Sequence, residues 1–327
     1  MKDSLAAIIG SSMFAKAIAV ELLRNGASVL IVDDTCPSSS ISLHFEEEGV
    51  LSSYTCPCTS DWSNLCDATY IVTCQTGDEL LLSMVKLSAN VVDGQLLVMF
   101  PGYFMTEQVA NILQRAGTVN FGICEMTSAP LVCSMSQDGI IHIHKRKKKL
   151  KYAGYKGNSY SKALSRLKDF LPMLSIAADT VETSLENINS ILHPLPILLN
   201  LVAVQRAPEN FRHFFDGIDE HVSRLMHLMD EERCAVGRSL GFSLEPTLVQ
   251  LKSYYGDNDA KTIFEYIHTP ECPYSEISGF GLSSRYIKLD VPYLVANTSR
   301  LAHANNVPVP LFDTCMTLAR PFLSKVN

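Results

Sequence analysis

The segment Leu5-Ala6-Ala7-Ile8-Ile9-Gly10-Ser11-Ser12-Met13-Phe14-Ala15 constrains what this chain can fold into more than any other. A short apolar run stops at a glycine, and a helical pattern, Phe14–Arg24, begins just after it. In such strand–turn–helix units the first glycine makes the tight turn and the second lets a pyrophosphate approach the backbone. The third small residue lets the helix pack on the strand. Gly10 and Ala15 fill the first and third positions. Ser12 stands at the second, where it narrows the approach but offers a hydroxyl to phosphate at the positive end of a helix. A second apolar run, Ser28–Val32, ends at Asp33, about 20 residues on, where an acid holds the ribose 2′-hydroxyl of NAD and repels the extra phosphate of NADP. Asp34 is an equally acidic neighbour, and a plain βαβ unit without ligand shows the same pattern. The unit predicts a Rossmann-type domain binding NAD(H), with NADP(H) as the alternative. The expected cofactor residues are Gly10, Ser11, Ser12, Met13, Phe14, Ala15 and Asp33.

The alternation continues. Ala68–Thr73, Gln95–Phe100 and Val119–Cys124 have strand length and apolarity, with helical patterns at Asp78–Leu87 and Val109–Ala116 between them. Strands separated by helices predict a doubly wound, mostly parallel α/β sheet. Ile140–His144 and Leu150–Tyr155 flank Lys145-Arg146-Lys147-Lys148-Lys149, which reads as a hairpin with a solvated basic tip. From Ser161 the pattern is helical: Ser161–Leu171, Thr183–Val204, Ile218–Leu240, Glu245–Tyr255, Val291–Asn305 and Phe312–Phe322. In the third of these, Ile218, Val222, Leu225, Leu228 and Met229 recur at helical spacing. The expected organisation is a dinucleotide-binding domain over 1–178 and a mostly α-helical substrate and catalytic domain over 179–327.

With 47% hydrophobic and 19% charged residues, the 327-residue chain can bury a large core. A net charge of −7 supplies no field that draws it to nucleic acid or anionic lipid. Leu5–Ile9 is too short for a secretory segment, and no run approaches the roughly 18 apolar residues of a membrane span, so a cytoplasmic protein is expected. The ten cysteines are scattered, and only Cys56-Pro57-Cys58 forms a close pair. Without a second pair or a nearby histidine they read as reduced thiols rather than a metal site.

Of the nine histidines, His142, His144, His213, His221 and His227 lie among polar neighbours and read as solvated. His193 differs, because Asn189-Ser190-Ile191-Leu192-His193-Pro194-Leu195-Pro196-Ile197-Leu198-Leu199-Asn200 is otherwise apolar. An imidazole buried there needs a polar partner, and a carboxylate would orient it and raise its pKa. Hydride transfer to a C=O or C=N carbon calls for such a proton donor.

Several ordered motifs resemble the opine (octopine/nopaline) dehydrogenases. They are Asn189-x-x-x-His193-Pro194 with Leu199-Asn200, then Phe215-Asp216-Gly217 through Asp230-x-Glu232-Arg233 to Leu240-Gly241. Arg285-Tyr286-Ile287-Lys288-Leu289-Asp290-Val291-Pro292 and Asn306-Val307-Pro308-Val309-Pro310 follow. Pro101-Gly102 and Glu125-Met126-Thr127-Ser128-Ala129-Pro130 match in the first half. The resemblance implies reductive condensation of an α-keto acid with the amino group of an amino acid through an imine. It also implies His193 as proton donor or acceptor and Asp290 as its orienting carboxylate. Arg285, Asn200 and Glu125 would then lie on the substrate side, and no metal takes part. Two positions depart from the family pattern: Ser12 replaces a glycine, and Leu289 replaces an acid. A ketopantoate-reductase-like or 2-hydroxyacid reductase needing no amine stays open, as does a non-catalytic relative that only binds nucleotide or metabolite. The apolar helical half offers surface for a homodimer.

Overall fold

The computed structural model describes residues 5–36, 39–115, 117, 121–155, 161–207, 209–275, 277–278, 281 and 284–323. The expected strand start at Val119-Asn120 and helix end at Ala116 lie outside them. Two units are present, Met1–Thr183 and Ser184–Asn327.

Among its described residues the first unit carries eleven strands: β1 (Leu5–Ile9), β2 (Ser28–Val32), β3 (Ser40–Glu47), β4 (Val50–Thr59), β5 (Tyr70–Thr73), β6 (Leu96–Met99), β7 (Gly122–Met126), β8 (Leu131–Met135), β9 (Ile141–Arg146), β10 (Leu150–Gly154) and β11 (Leu174–Ile176). They form one sheet in the order β11-β10-β7-β6-β5-β1-β2-β4-β3-β9-β8. The run from β7 through β1 to β4 is parallel. This is the doubly wound arrangement, with β1 at its centre because Ala6–Ile9 are apolar on both faces and can be covered on both. The crossover helices are α1 (Met13–Arg24), α2 (Gly77–Ser88) and α3 (Thr106–Arg115), followed by α4 (Ser161–Phe170) and α5 (Thr180–Leu185).

Sequence periodicity did not disclose the antiparallel β3–β4 hairpin. Leu43 and Phe45 are buried while Ser42 and His44 are exposed, and the turn uses Glu48 at φ 51° and Gly49 at φ 78°. Two positive φ values in a two-residue turn match the right-handed twist of the flanking strands. The basic-tipped hairpin expected between Ile140 and Tyr155 does not form. β9 pairs with β8 and β3, whereas β10 pairs with β7 and β11, toward opposite ends of the sheet. Each strand has its own apolar residues to bury, Ile141 and Ile143 in β9, Leu150 and Tyr152 in β10. Three cations of this stretch have partners. Arg146 pairs with Glu21 and Glu47, Lys147 is buried against the Ser128 hydroxyl, and Lys151 lies 2.9 Å from Glu182. One further correction concerns the thiols. Parallel pairing of β2 with β4 brings Cys36 and Cys58 together as a disulfide with Cα atoms 6.4 Å apart.

The second unit is helical: α6 (Asn189–Leu192), α7 (Pro194–Leu199), α8 (Leu201–Arg206), α9 (Glu220–Ser239), α10 (Thr247–Tyr255), α11 (Ile263–Ile267) and α12 (Arg285–Lys288). A π-helical turn, Asp290–Val295, then leads into α13 (Ala296–Ala304), and α14 (Pro310–Ala319) follows. The long helix expected over Thr183–Val204 is broken into short pieces. Pro194 and Pro196 lack the N–H groups a continuous helix needs at those places, and His193 and Asn200 become the joints. α9 touches α6, α7, α11, α13 and α14. Its buried face runs through Ser223, Met226, Met229, Asp230 and Arg233, while Leu228 of the apolar repeat is 44% exposed.

The motif residues of α9 serve this packing. Asp230 accepts hydrogen bonds from Arg233, Thr247 N–H and the Thr247 hydroxyl. Arg233, wholly buried, also donates to the carbonyls of Leu185 and Glu245. Glu232 accepts from the N–H groups of Leu311 and Phe312, an acid at the positive end of α14. Asn306, at φ 56°, closes α13, and Pro310 opens α14. No described helix is long and apolar enough to cross a membrane.

Candidate active site

At the first turn, Gly10 takes φ +86°, a backbone conformation that L side chains rarely adopt, and its N–H donates to Val32 O at 2.9 Å. Ser12 does not need to be glycine, since its φ of −59° and ψ of 161° suit any residue. Its Oγ caps α1 by accepting from Ala15 N–H at 3.3 Å, which leaves the hydroxyl proton to donate. Ala15 is buried, and Met13 and Phe14 pack partly against the core.

Asp33 and Asp34 separate cleanly. Asp34 is engaged by Lys86 and by Trp62 Nε1 at the surface. Asp33 accepts from Thr35 N–H at 2.8 Å and the Thr35 hydroxyl at 2.6 Å. Partial burial works against its charge, but hydrogen bonds from Thr35 and Ser11 outweigh it and hold the carboxyl below its usual range. The carboxylate beside the glycine turn is therefore Asp33.

Gln75, just beyond β5, faces the same turn. A Cβ on Gly10 would meet its Nε2 at 3.5 Å, and that Nε2 donates to Glu79 at 3.0 Å. The buried Oε1 of Gln75 has no hydrogen-bond partner among the described residues. A helix N-terminus, a hydroxyl donor, a buried carbonyl acceptor and an ionised Asp33 suit a dinucleotide's phosphates and ribose hydroxyls. The residues fit the group.

Glu125, expected on the substrate side, is fully buried, and its carboxylate accepts the hydroxyls of Thr106 and Thr183. A side chain at Gly102 would run into it. Glu125 is thus packed beneath the Pro101-Gly102 turn.

In the helical unit, His193 caps α6 and precedes α7, 5% exposed. Its Nδ1 lies 2.7 Å from Oδ2 of Asp290, the first residue of the π-helical turn, which is 0% exposed. A carboxylate only accepts, so Nδ1 carries the proton and Nε2 carries the lone pair of the neutral ring. Ninety-seven residues separate the pair in sequence, so no local pattern shows the contact. Within the π turn Pro292 lacks the N–H that would donate to Lys288 O, and Ala296 N–H donates to Val291 O, five residues back.

Three rings enclose His193. Tyr286 stacks on it with centroids 3.8 Å apart and planes at 18°, and His213 and Phe214 stand more edge-on at 6.1 and 5.9 Å. His213, expected at the surface, is fully buried. Its aromatic setting, Phe211 to Phe215, was the signal for that. A carbonyl cannot donate, so the 3.2 Å contact from its Nε2 to Leu192 O makes Nε2 the protonated nitrogen. Burial, and then the neighbouring His193, push its pKa down to about 3, with the Leu192 bond acting weakly the other way. It stays neutral beside the dyad.

Arg285 opens α12, its guanidinium 5.7 Å from the Tyr286 ring centre. Asn200 commits both amide hydrogens, to Pro196 O at 2.8 Å and Gly217 O at 2.9 Å. It ties the end of α7 to the turn after His213. The described residues contain no cluster of metal-ligating side chains.

Residues 176–323 match the family described as NAD/NADP octopine/nopaline dehydrogenase, alpha-helical domain. An opine dehydrogenase of Arthrobacter sp. (strain 1C) is 28% identical over 235 residues, 71% of this chain and 65% of the relative. The match thus spans less than two thirds of that relative's length. An octopine dehydrogenase solved with NADH and L-arginine superimposes with a TM-score of 0.77 at 16% identity, covering 97% of this chain and 89% of that one. A yersinopine dehydrogenase with NADP+ bound gives 0.70 at 15% identity over 98% and 91% of the two chains. These structures share the fold. The match to the octopine/nopaline dehydrogenase helical-domain family takes in both His193 and Asp290.

Proposed function

We propose that this chain is an NAD(P)H-dependent opine-type dehydrogenase that joins an α-keto acid to the amino group of an amino acid and reduces the imine to a secondary-amine dicarboxylate. The observation that carries this reading is the buried His193–Asp290 pair within residues matching that family. Met1–Thr183, containing the 1–178 segment expected from sequence, holds the cofactor, and the helical remainder handles substrate and proton.

Bound NAD(P)H supplies the hydride that the imine carbon takes up. The neutral amine adds to the keto carbon, and protonated His193 gives its Nε2 proton to the resulting hydroxyl, which leaves as water. In the opposite direction His193 takes the proton back. Asp290 fixes the tautomer and balances the charge of the imidazolium. Arg285 binds the keto-acid carboxylate through its planar fork. Asn200 shapes the substrate side by holding the turn at Gly217, and Glu125 acts from beneath Pro101-Gly102 rather than by direct contact. Gly10, Ser11, Ser12, Met13, Phe14 and Ala15 surround the pyrophosphate, and Asp33 takes the ribose, which favours NAD(H) over NADP(H).

A cytoplasmic location fits the eight cysteines outside the Cys36–Cys58 disulfide, six of them buried. Apolar Leu199 and Val202, exposed on α7 and α8, supply surface for a homodimer.

The test follows the near-ultraviolet absorbance of NADH over a matrix of α-keto acids, each with and without amino acids. Oxidation that requires both partners is the expected result. Oxidation with a keto acid alone, or with no combination, overturns the proposal.

A further inference from the structure

We propose that Tyr286 is a positioning residue for both halves of the substrate chemistry: its ring holds the His193 imidazole and its hydroxyl holds the Arg285 guanidinium. The inference rests on reading His193 as the acid and Arg285 as the carboxylate ligand. Nothing in the sequence separated Tyr286 from an ordinary core aromatic.

Three observations carry it. The ring of Tyr286 lies flat on His193, 3.8 Å between centroids and 18° between planes, close enough to forbid rotation about the imidazole's long axis. Arg285 hydrogen-bonds the phenol oxygen, with its guanidinium 5.7 Å from the ring centre. Tyr286 itself is 2% exposed and also packs 4.5 Å from His213, so it has no room to swing. Burial pushes its phenol up, with the Arg285 charge acting the other way, so the hydroxyl stays protonated and neutral at working pH. One rigid side chain thereby connects the group that gives the proton to the group that anchors the substrate. Because a guanidinium N–H donates to the phenol oxygen, Arg285 loses freedom before any ligand arrives.

The stack has an electrostatic consequence as well. An aromatic face attracts a cation, so Tyr286 favours the imidazolium over the neutral ring. Asp290 from the π-helical turn and neutral His213 from the segment before α9 also face His193, and Arg285 from α12 lies against the Tyr286 ring. The buried charges of α9, Asp230 and Arg233, are paired with each other, and Asp313 of α14 is bonded to Ser299 and His303.

Two variants separate the two tasks. Tyr286→Phe keeps the stack and deletes the oxygen, while Tyr286→Leu deletes the stack. The titration of His193 is read from its ring-carbon proton by NMR, identified by its loss in His193→Gln, and needs no turnover. In Tyr286→Leu the midpoint is expected to fall by roughly half a pH unit. In Tyr286→Phe it stays put, while KM for the keto acid rises by roughly tenfold with kcat little changed. An unmoved His193 midpoint in a folded Leu variant overturns the stacking half, and an unchanged KM in the Phe variant overturns the anchoring half. If the Leu variant does not fold, the Phe variant decides through KM. A wild type without turnover sinks the functional proposal instead, and the NMR titration still decides the stack.

Discussion

The Nδ1 atom of His193 lies 2.7 Å from Oδ2 of Asp290, with neither residue more than 5% exposed. Replacing the carboxylate by an amide keeps the shape but lets the new side chain donate to Nδ1, which favours the wrong tautomer. Asp290→Asn and His193→Ala are each expected to lower kcat/KM by roughly 10²–10⁴-fold. Fluorescence titration should show unchanged NADH affinity in both. Full activity in either variant removes the dyad from the mechanism.

His213 makes the fold sensitive to acid. Its pKa is pushed down to about 3 in the folded state, against 6.5 when exposed. Between those values the unfolded chain binds a proton that the folded chain does not, so stability is present above pH 6.5 and is lost as pH falls toward 3. The slope for this one group reaches about 1.4 kcal/mol per pH unit. Thermal melts between neutral pH and mild acid should show a shallower loss in His213→Gln than in wild type, once both are referenced to neutral pH. Parallel curves would mean that His213 titrates normally.

At the cofactor turn, Asp33 is held ionised by Thr35 and Ser11. Asp33→Ser should weaken NADH binding and ease NADPH binding, reducing the preference between them by roughly tenfold or more. Ser12→Gly gains room for phosphate but loses the α1 cap, so it should cost about 1 kcal/mol of stability or less without abolishing NADH binding. Titrations with the two cofactors and a urea melt check these outcomes.

Gly102 is closed against the buried Glu125 carboxylate. Gly102→Ala should destabilise the first unit by about 1–3 kcal/mol, through displacement of Glu125 from Thr106 and Thr183. Denaturant melts of Gly102→Ala and of Glu125→Gln would show it, and a Gly102→Ala melt matching wild type would mean that the turn has slack.

Much of the fold could be read before the structure was known, for physical reasons that differ along the chain. The β1–α1 unit announces itself because glycine, cap and apolar run are contiguous, so local chemistry specifies it. His193 was visible because a lone imidazole in an apolar stretch must find a partner. The β3–β4 hairpin was hidden by its serines and glutamates, which cover a strand with only one buried face. The basic run misled because Arg146 within it and Lys151 just after it are matched by carboxylates distant in sequence, Glu21, Glu47 and Glu182. Tyr286 was illegible for the same reason: its role lies in contacts between segments, and spacing within one segment carries no trace of them.

The π-helical turn at Asp290–Val295 has a consequence for how this site can change. An α-helix rotates by about 100° per residue. Deleting one residue between Asp290 and α13, so that the turn rewinds as ordinary α-helix, would swing the carboxylate around the axis and away from the imidazole without altering either side chain. The pairing of acid and base is thus stored in the pitch of the backbone as much as in the identity of the residues. A single-codon deletion there would silence the dyad while leaving every recognisable motif residue in place.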